Sequence, residues 1–280
     1  MALIDNASIS NTLNADSRTY NYTIGEADCI GSAVIYPDSA KYSAPPSAPK
    51  EDQSSSKPKV SQETLAPGTK YATELYIIKS GQPGPVVMIV GGVHGNERAG
   101  YTAAAEVKDW DIKKGTLLVL PQANVLAVDK KVRYISSQGD LNRDFPQSSV
   151  QSADNTLSKA IWSAVKKHKV EWLMDMHEGY DYYKNTSTSS VGQSLIYYPN
   201  SGTKTVASKI VSTLNSDIST SYKKFSLLQY PVKGSLARAS GQYLGVNSFI
   251  FETCDNPSLS VRVNYQLKAA KTLLQKLDMI

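Results

Sequence analysis

From about residue 71 onward the chain alternates between apolar blocks and amphipathic ones. Pro85-Val86-Val87-Met88-Ile89-Val90 is a continuous apolar run closed by Gly91-Gly92, the pattern of a strand buried on both faces. Residues 75–78, 116–120, 170–176, 195–198 and 246–251 read as further strands. Between them lie segments with helical spacing: 96–110 with an alanine-rich face, 156–169 with Leu157, Ile161, Trp162 and Val165 on one side, then 203–218, 235–243 and 260–277. Apolar strands alternating with helices predict an α/β fold, a single domain whose mixed, mostly parallel central sheet is covered by helices on both faces. Ligands of such sheets bind at the carboxyl ends of strands, so the polar residues there carry the functional argument.

The first 66 residues have a different texture. Residues 38–60 are rich in Ser, Pro, Lys and Ala, as in Ala44-Pro45-Pro46-Ser47-Ala48-Pro49, and read as a linker or long surface loop. Residues 20–36 are β-prone and read as a short hairpin or an added edge strand. The expected organisation is therefore a loop-rich N-terminal extension over 1–66 and the α/β domain over 67–280.

Composition narrows the function classes. The net charge of +5 is mild and forms no dense basic stripe, and no aromatic-plus-basic motif is present, which argues against nucleic acid as a partner. No stretch is apolar and long enough for a transmembrane segment. Residues 1–20 lack the apolar run of a signal peptide, which suits a cytoplasmic protein and equally an exported one whose signal has been removed. The two cysteines, Cys29 and Cys254, form no CxxC and leave both pairing and redox compartment open.

Chemistry concentrates at strand ends. His94 and Glu97 stand three apart in Gly91-Gly92-Val93-His94-Gly95-Asn96-Glu97, across a strand-to-helix turn, where an imidazole and a carboxylate can converge on one ion. His177 follows in Asp175-Met176-His177 at the end of a second buried strand. Two histidines and one glutamate form a zinc set that leaves a position open for water. An isolated HxxE arises often by chance; the conjunction with His177 raises its weight. His168, in Lys166-Lys167-His168-Lys169, reads as an exposed helix-terminal residue. Asp175 lies two residues before His177 on the same strand face, where it either orients a ligand or caps a turn.

Taken in order, Gly92-Val93-His94-Gly95-Asn96-Glu97, Arg133, Asp140-Leu141-Asn142-Arg143-Asp144-Phe145-Pro146, Asp175-Met176-His177 and Glu252 resemble the motifs of the zinc carboxypeptidase superfamily, in particular its succinylglutamate desuccinylase/aspartoacylase-like branch. The resemblance covers roughly residues 70–280. It implies the carboxypeptidase-like (phosphorylase/hydrolase-like) fold and one zinc ion per chain held by His94, Glu97 and His177. It implies Glu252 as general base, Arg133 as the oxyanion-stabilising arginine, and Asn142 and Arg143 as the grip on a substrate carboxylate. Tyr230 lies where the family's mobile tyrosine falls, and Arg238 lies in the region lining the specificity pocket, where it would suit a second acidic group.

The implied substrate is a small peptide or an N-acyl amino acid with a free carboxylate. The first reading is a zinc carboxypeptidase acting on cell-wall or other small peptides. The alternative is an N-acyl amino acid deacylase, and below both stands an inactive binding module on the same fold. Aspartoacylase-like enzymes carry a β-rich domain after the catalytic glutamate; here that segment reads as one helix, which favours the peptidase. The short span between Glu97 and His177 points the other way, to the compact branch.

Overall fold

The computed structural model describes residues 57–280 in full and, before them, the backbone of residues 10–14, 17–22 and 31–35. Those three segments are strands β1 (Ser10–Asn14), β2 (Ser17–Tyr22) and β3 (Gly31–Ile35), paired antiparallel in that order. The β-prone stretch at 20–36 thus contributes to a three-stranded sheet. Of the expected linker, residues 38–56 lie outside the described residues. The chain divides into two compact units, Met1–Gln53 and Ser54–Ile280.

The second unit contains, in chain order, β4 (Lys59–Leu65), β5 (Thr73–Lys79), β6 (Val86–Gly91), α1 (Arg98–Val107), β7 (Thr116–Leu120), α2 (Val125–Lys130), α3 (Thr156–Lys167), β8 (Trp172–Gly179), β9 (Ser194–Tyr197), α4 (Thr203–Asn215), β10 (Ser226–Gln229), α5 (Leu236–Leu244), β11 (Asn247–Cys254) and α6 (Leu259–Lys276). Its eight strands form one sheet in the order β10-β9-β11-β8-β6-β7-β5-β4. The central strands β11, β8, β6 and β7 run parallel, while β9, β5 and β4 each pair antiparallel with a neighbour. The mixed, mostly parallel sheet expected from the pattern is the one observed.

Helices cover both faces, which is why the central strands are apolar over most of their length, with polar residues gathered toward the carboxyl ends of β8 and β11. On one face Ala103, Val107, Ile210 and Leu274 of α1, α4 and α6 pack with Ile89 and Phe249. On the other, Leu157, Ile161 and Leu236 of α3 and α5 pack with Met88, Leu173 and Ile250. The chain leaves β6 in one direction to reach β7 and returns to its other side as β8. The carboxyl ends of β6 and β8 therefore flank a crevice at the point where strand order reverses.

Three expectations need adjustment. The sheet begins before residue 66, because Lys59–Leu65 pairs along its whole length with β5. Its sequence gave no strand signal because β4 is an edge strand, exposed over most of both faces, and needs no apolar alternation. Strand β8 continues past Met176 to Gly179, and β11 past Phe251 to Cys254. His177 and Glu252 therefore sit inside paired strands rather than after them: their backbones pair in the β8–β11 ladder, so polar side chains do not end the strands. Finally, α2 and β10 are too short, at six and four residues, to show a period in sequence.

Candidate metal and substrate site

The site is assembled from the ends of three strands. The turn after β6 carries His94 and leads into Glu97, the N-cap of α1. This turn is pressed against α2: a Cβ on Gly95 would lie 1.9 Å from the carbonyl oxygen of Ala127, so only glycine allows the approach. His177 projects from β8, and Glu252 is its direct neighbour across the parallel ladder.

Nδ1 of His94 lies 2.7 Å from Oε1 of Glu97, Nδ1 of His177 lies 2.8 Å from Oε2 of the same carboxylate, and the two Nδ1 atoms are 3.2 Å apart. All three residues are buried. The outer nitrogens also face carboxylates. Nε2 of His94 is 2.8 Å from Oδ1 of Asp140, and Nε2 of His177 is 3.1 Å from Oδ1 of Asp175, close but out of line for a hydrogen bond. A proton drawn to each Nε2 leaves the Nδ1 lone pairs directed at one shared point, the arrangement by which outer carboxylates orient imidazole ligands.

These residues fit a divalent cation. Metal–ligand bonds of about 2.0–2.2 Å in a tetrahedral set place donor atoms about 3.3–3.6 Å apart. The three donors observed stand 2.7, 2.8 and 3.2 Å apart, closer than that spacing, so the carboxylate would part from the imidazoles by under about 1 Å to admit an ion. Charge points the same way, since Glu97, Asp140 and Asp175 surround two imidazoles. Burial alone would disfavour their charged forms, yet the Glu97 carboxylate raises the affinity of His94 for a proton, and Asp175 followed by Glu97 does the same for His177. Burial would also raise Glu97, but the two imidazoles hold it well below the usual carboxylate range. The pocket thus demands positive charge at its centre. The His94–Glu97–His177 cluster could hold a metal ion.

Glu252 is nearly enclosed and its Oε2 has no hydrogen-bond partner. Burial pushes its carboxyl up to about 8, with Glu97 adding to the rise and the imidazoles opposing it. A dication in the cluster would pull it back down by direct attraction.

The cluster opens into a cavity of about 580 Å³. On one side stand Arg133, Asn142 and Arg143, with Ile196, Val232 and Ile250. Arg133 reaches Asp140 at 3.1 Å and Glu97 at 3.4 Å. Arg143 donates to the carbonyl of Asn142 at 2.8 Å and has no ion pair among the described residues. The Oδ1 of buried Asn142 has no partner. On the other side stand Glu178, Tyr180, Ser189, Ser190, Asp255 and Arg262.

Glu178 and Arg262 make a buried pair at 2.6 Å. Glu178 also accepts from the backbone N–H of Ala99 at 2.8 Å, in the first turn of α1, and its own N–H donates to Glu97. Gln266, one turn beyond Arg262 on α6, donates to the carbonyl of His177 at 2.8 Å. Helix α6 thus clamps the backbone of the site from behind.

Sequence reasoning singled out His94, Glu97, Arg133, Asn142, Arg143, His177 and Glu252; the structure brings all but His177 to the cavity lining, and His177 joins them through the buried cluster with His94 and Glu97. Tyr230 and Arg238 do not line it. The Arg238 guanidinium lies 5.5 Å from the Tyr198 ring and 5.3 Å from the Tyr230 ring, and it donates to Gln242 and the carbonyl of Pro231. His168 caps α3 and is 2.9 Å from Glu63 of β4. Cys254 is a buried free thiol, and Cys29 lies outside the described residues. Asp140, Glu178 and Arg262 were not assigned roles. Asp140 stands two residues before Asn142 in the quoted motif, a signal that was available. Nothing in the sequence around Arg262 ties it to Glu178, which lies 84 positions earlier.

Residues 83–198 match the model of the succinylglutamate desuccinylase/aspartoacylase catalytic domain. This is the branch the ordered motifs resemble, and the matched segment includes His94, Glu97, Asn142, Arg143 and His177 but ends before Glu252. No curated protein matches the chain. Among solved structures, the tripeptide-bound Cell Shape Determinant protein Csd4 of Helicobacter pylori is similar over 74% of this chain and 56% of its own, with TM-score 0.61 and 19% identity. A succinylglutamate desuccinylase/aspartoacylase from Rhodobacter sphaeroides is similar over 83% of this chain and 69% of its own, with TM-score 0.57 and 16% identity. An aspartoacylase family protein from Mesorhizobium loti is similar over 80% and 68%, with TM-score 0.58 and 20% identity. These likenesses establish a shared fold. The chain spans a little over half the length of the Csd4 structure.

Proposed function

We propose that this protein is a zinc-dependent carboxypeptidase that hydrolyses the amide bond next to a free carboxylate in small peptides. One observation carries the reading: a buried two-histidine, one-glutamate cluster shares a cavity with an unpartnered buried carboxylate, Glu252, and with Arg143, an arginine without an ion pair among the described residues. His94, Glu97 and His177 would hold the ion, whose bound form supplies a Lewis acid that acidifies water and polarises a carbonyl group. Arg143 and Asn142 receive the substrate carboxylate, the guanidinium through paired N–H donors. Glu252 accepts a proton from the attacking water and delivers it to the leaving amine. Arg133 faces the carbonyl oxygen, where negative charge grows during attack.

An N-acyl amino acid deacylase is the second reading, supported by the family of the matched segment. The peptidase is preferred because the cavity continues beyond the cluster past Tyr180, Ser189, Ser190 and Asp255, which offer donors and acceptors to a peptide backbone. That the similar Helicobacter pylori protein is described as a D,L-carboxypeptidase agrees with this choice.

The test is metal content by mass spectrometry, on untagged wild type and His94→Ala, with hydrolysis of peptides that end in a free carboxylate or an amide. About one zinc per chain, lost in the variant, together with cleavage only of free-carboxylate peptides, is expected. Wild type that takes up no metal when zinc is supplied would instead favour an inactive binding module.

A further inference from the structure

The specificity of the site follows from the wall between the clamp and the base. Ile250 stands two residues before Glu252 on β11, so both side chains leave the same face of the strand. Ile196 of β9 is the direct partner of Ile250 across the antiparallel ladder, so the two side chains lie side by side. Arg143 is fixed to the same wall. A Cβ on Gly234 would lie 2.5 Å from the carbonyl oxygen of Arg143, and Phe145 donates its N–H to the carbonyl of Gly234 at 3.0 Å. This backbone contact sets Arg143 against the segment that carries Val232. Ile196, Val232 and Ile250 all line the cavity there.

The wall formed by Ile196, Val232 and Ile250 carries no charged group of its own: Arg98 lines the cavity from the start of α1, beside Glu97, and Arg262 is paired with Glu178. Arg143 and Arg133 are committed to the main-chain carboxylate and the carbonyl oxygen in the reading above. Arg238 stands outside the lining, between two tyrosine rings, with its donors directed to Gln242 and Pro231. A carboxylate or ammonium side chain placed against Ile196 and Ile250 would lose its water and gain no partner, whereas an aliphatic or aromatic one would exchange water for apolar contact.

Resting on the carboxypeptidase reading, we infer that the residue released by this enzyme carries an apolar side chain, selected by Ile196, Val232 and Ile250. Acidic residues, which an arginine on that wall would accept, are rejected. Ile196 is only partly buried and Val232 is 43% exposed, so both can be replaced without opening the core.

The experiment is calorimetric titration of the zinc-loaded full chain with free leucine, phenylalanine, aspartate and glutamate in both enantiomeric series. It reads the pocket without requiring turnover. Leucine or phenylalanine of one hand is expected to bind at least about tenfold more tightly than either acid. Ile196→Lys should shift that ratio toward the acids by at least about tenfold, and Val232→Lys should move it the same way should the first variant fold poorly. Equal or tighter binding of the acids, no binding of any amino acid, or a ratio unmoved by both substitutions would overturn the inference. Peptides ending in the preferred residue supply the second arm. If that residue binds but its peptides are not cleaved, the hydrolase reading fails while the pocket assignment stands.

Discussion

Of the four arginines that line the cavity, Arg262 and Arg143 have opposite standing in the fold. Arg262, 14% exposed, holds Glu178, whose carboxylate is 2% exposed and also caps α1. Arg143, at the other side, is exposed and spends only one hydrogen bond, on a neighbouring carbonyl. A guanidinium already satisfied inside the protein contributes to the structure and has little left for a ligand. One without an internal counter-charge adds little to stability and is free to take a carboxylate from outside. Arg133 stands between the two cases: it touches Asp140 and Glu97 yet remains 45% exposed. Charge alone therefore does not separate substrate arginines from structural ones. The internal partner does.

The contrast has meaning only if catalysis occurs between the two arginines. Glu252→Gln tests that first and should have the largest effect. Turnover should fall about 100- to 10,000-fold while zinc stays bound, as read by steady-state kinetics and metal analysis of one preparation. Activity close to wild type would remove Glu252 as the base.

Next comes Arg262→Ala, which strands the buried Glu178 carboxylate. Unfolding stability should drop by about 3–5 kcal/mol in chemical denaturation, with the preference for free-carboxylate over amidated peptides preserved in the folded fraction. A stable variant that had lost this preference would reverse the comparison.

Arg143→Ala should show the complementary pattern. Stability should change by less than about 0.5 kcal/mol, and discrimination between free-carboxylate and amidated peptides should fall by about 2–5 kcal/mol in kcat/KM. Equal losses on both substrates would remove the clamp role.

The smallest effect is expected at Asp144, beside the clamp. Burial, followed by the charges of Asp154 and Asp140, pushes its carboxyl up to about 6 from an ordinary 3.8. A carboxyl raised in the fold binds its proton more tightly folded than unfolded. Its contribution to stability is therefore greatest at low pH and is lost as pH rises from about 4 through 6. Asp144→Asn should match wild type near pH 4 and exceed it above pH 6.5, by no more than about 1 kcal/mol because the group is partly solvated. Denaturation curves at the two pH values decide this. A variant less stable at neutral pH would show that the charge of Asp144 helps hold the clamp loop.

Parts of the site were readable in advance for identifiable reasons. His94 and Glu97 share one turn, and Asn142 and Arg143 share another, so sequence spacing alone places each pair together. The long strands announced themselves because burial on both faces requires unbroken apolar runs, as in Val86–Gly91. The edge strand Lys59–Leu65 did not, because most of its residues stay exposed and its composition was free to resemble a linker. Tyr230 and Arg238 were expected at the pocket on family position; in the fold they gather around Tyr198, Tyr230 edge-on and Arg238 near both rings, outside the cavity lining. Whether a side chain turns into a cavity or away from it depends on rotamer and neighbours, which spacing does not encode.

By itself the sequence determined the α/β class, the succession of buried strands and the order of the chemical motifs, because each depends on residues within one turn or one strand. Only the tertiary structure decided which groups meet. Glu252 meets His177 through the β8–β11 ladder, Asp140 and Asp175 reach the outer nitrogens of the two histidines, Glu178 receives Arg262 from the last helix, and Ile250 faces Ile196. Except for Asp175 and His177, these partners are tens of residues apart along the chain. Their proximity is set by strand order and ladder register, which the packing of the whole sheet selects.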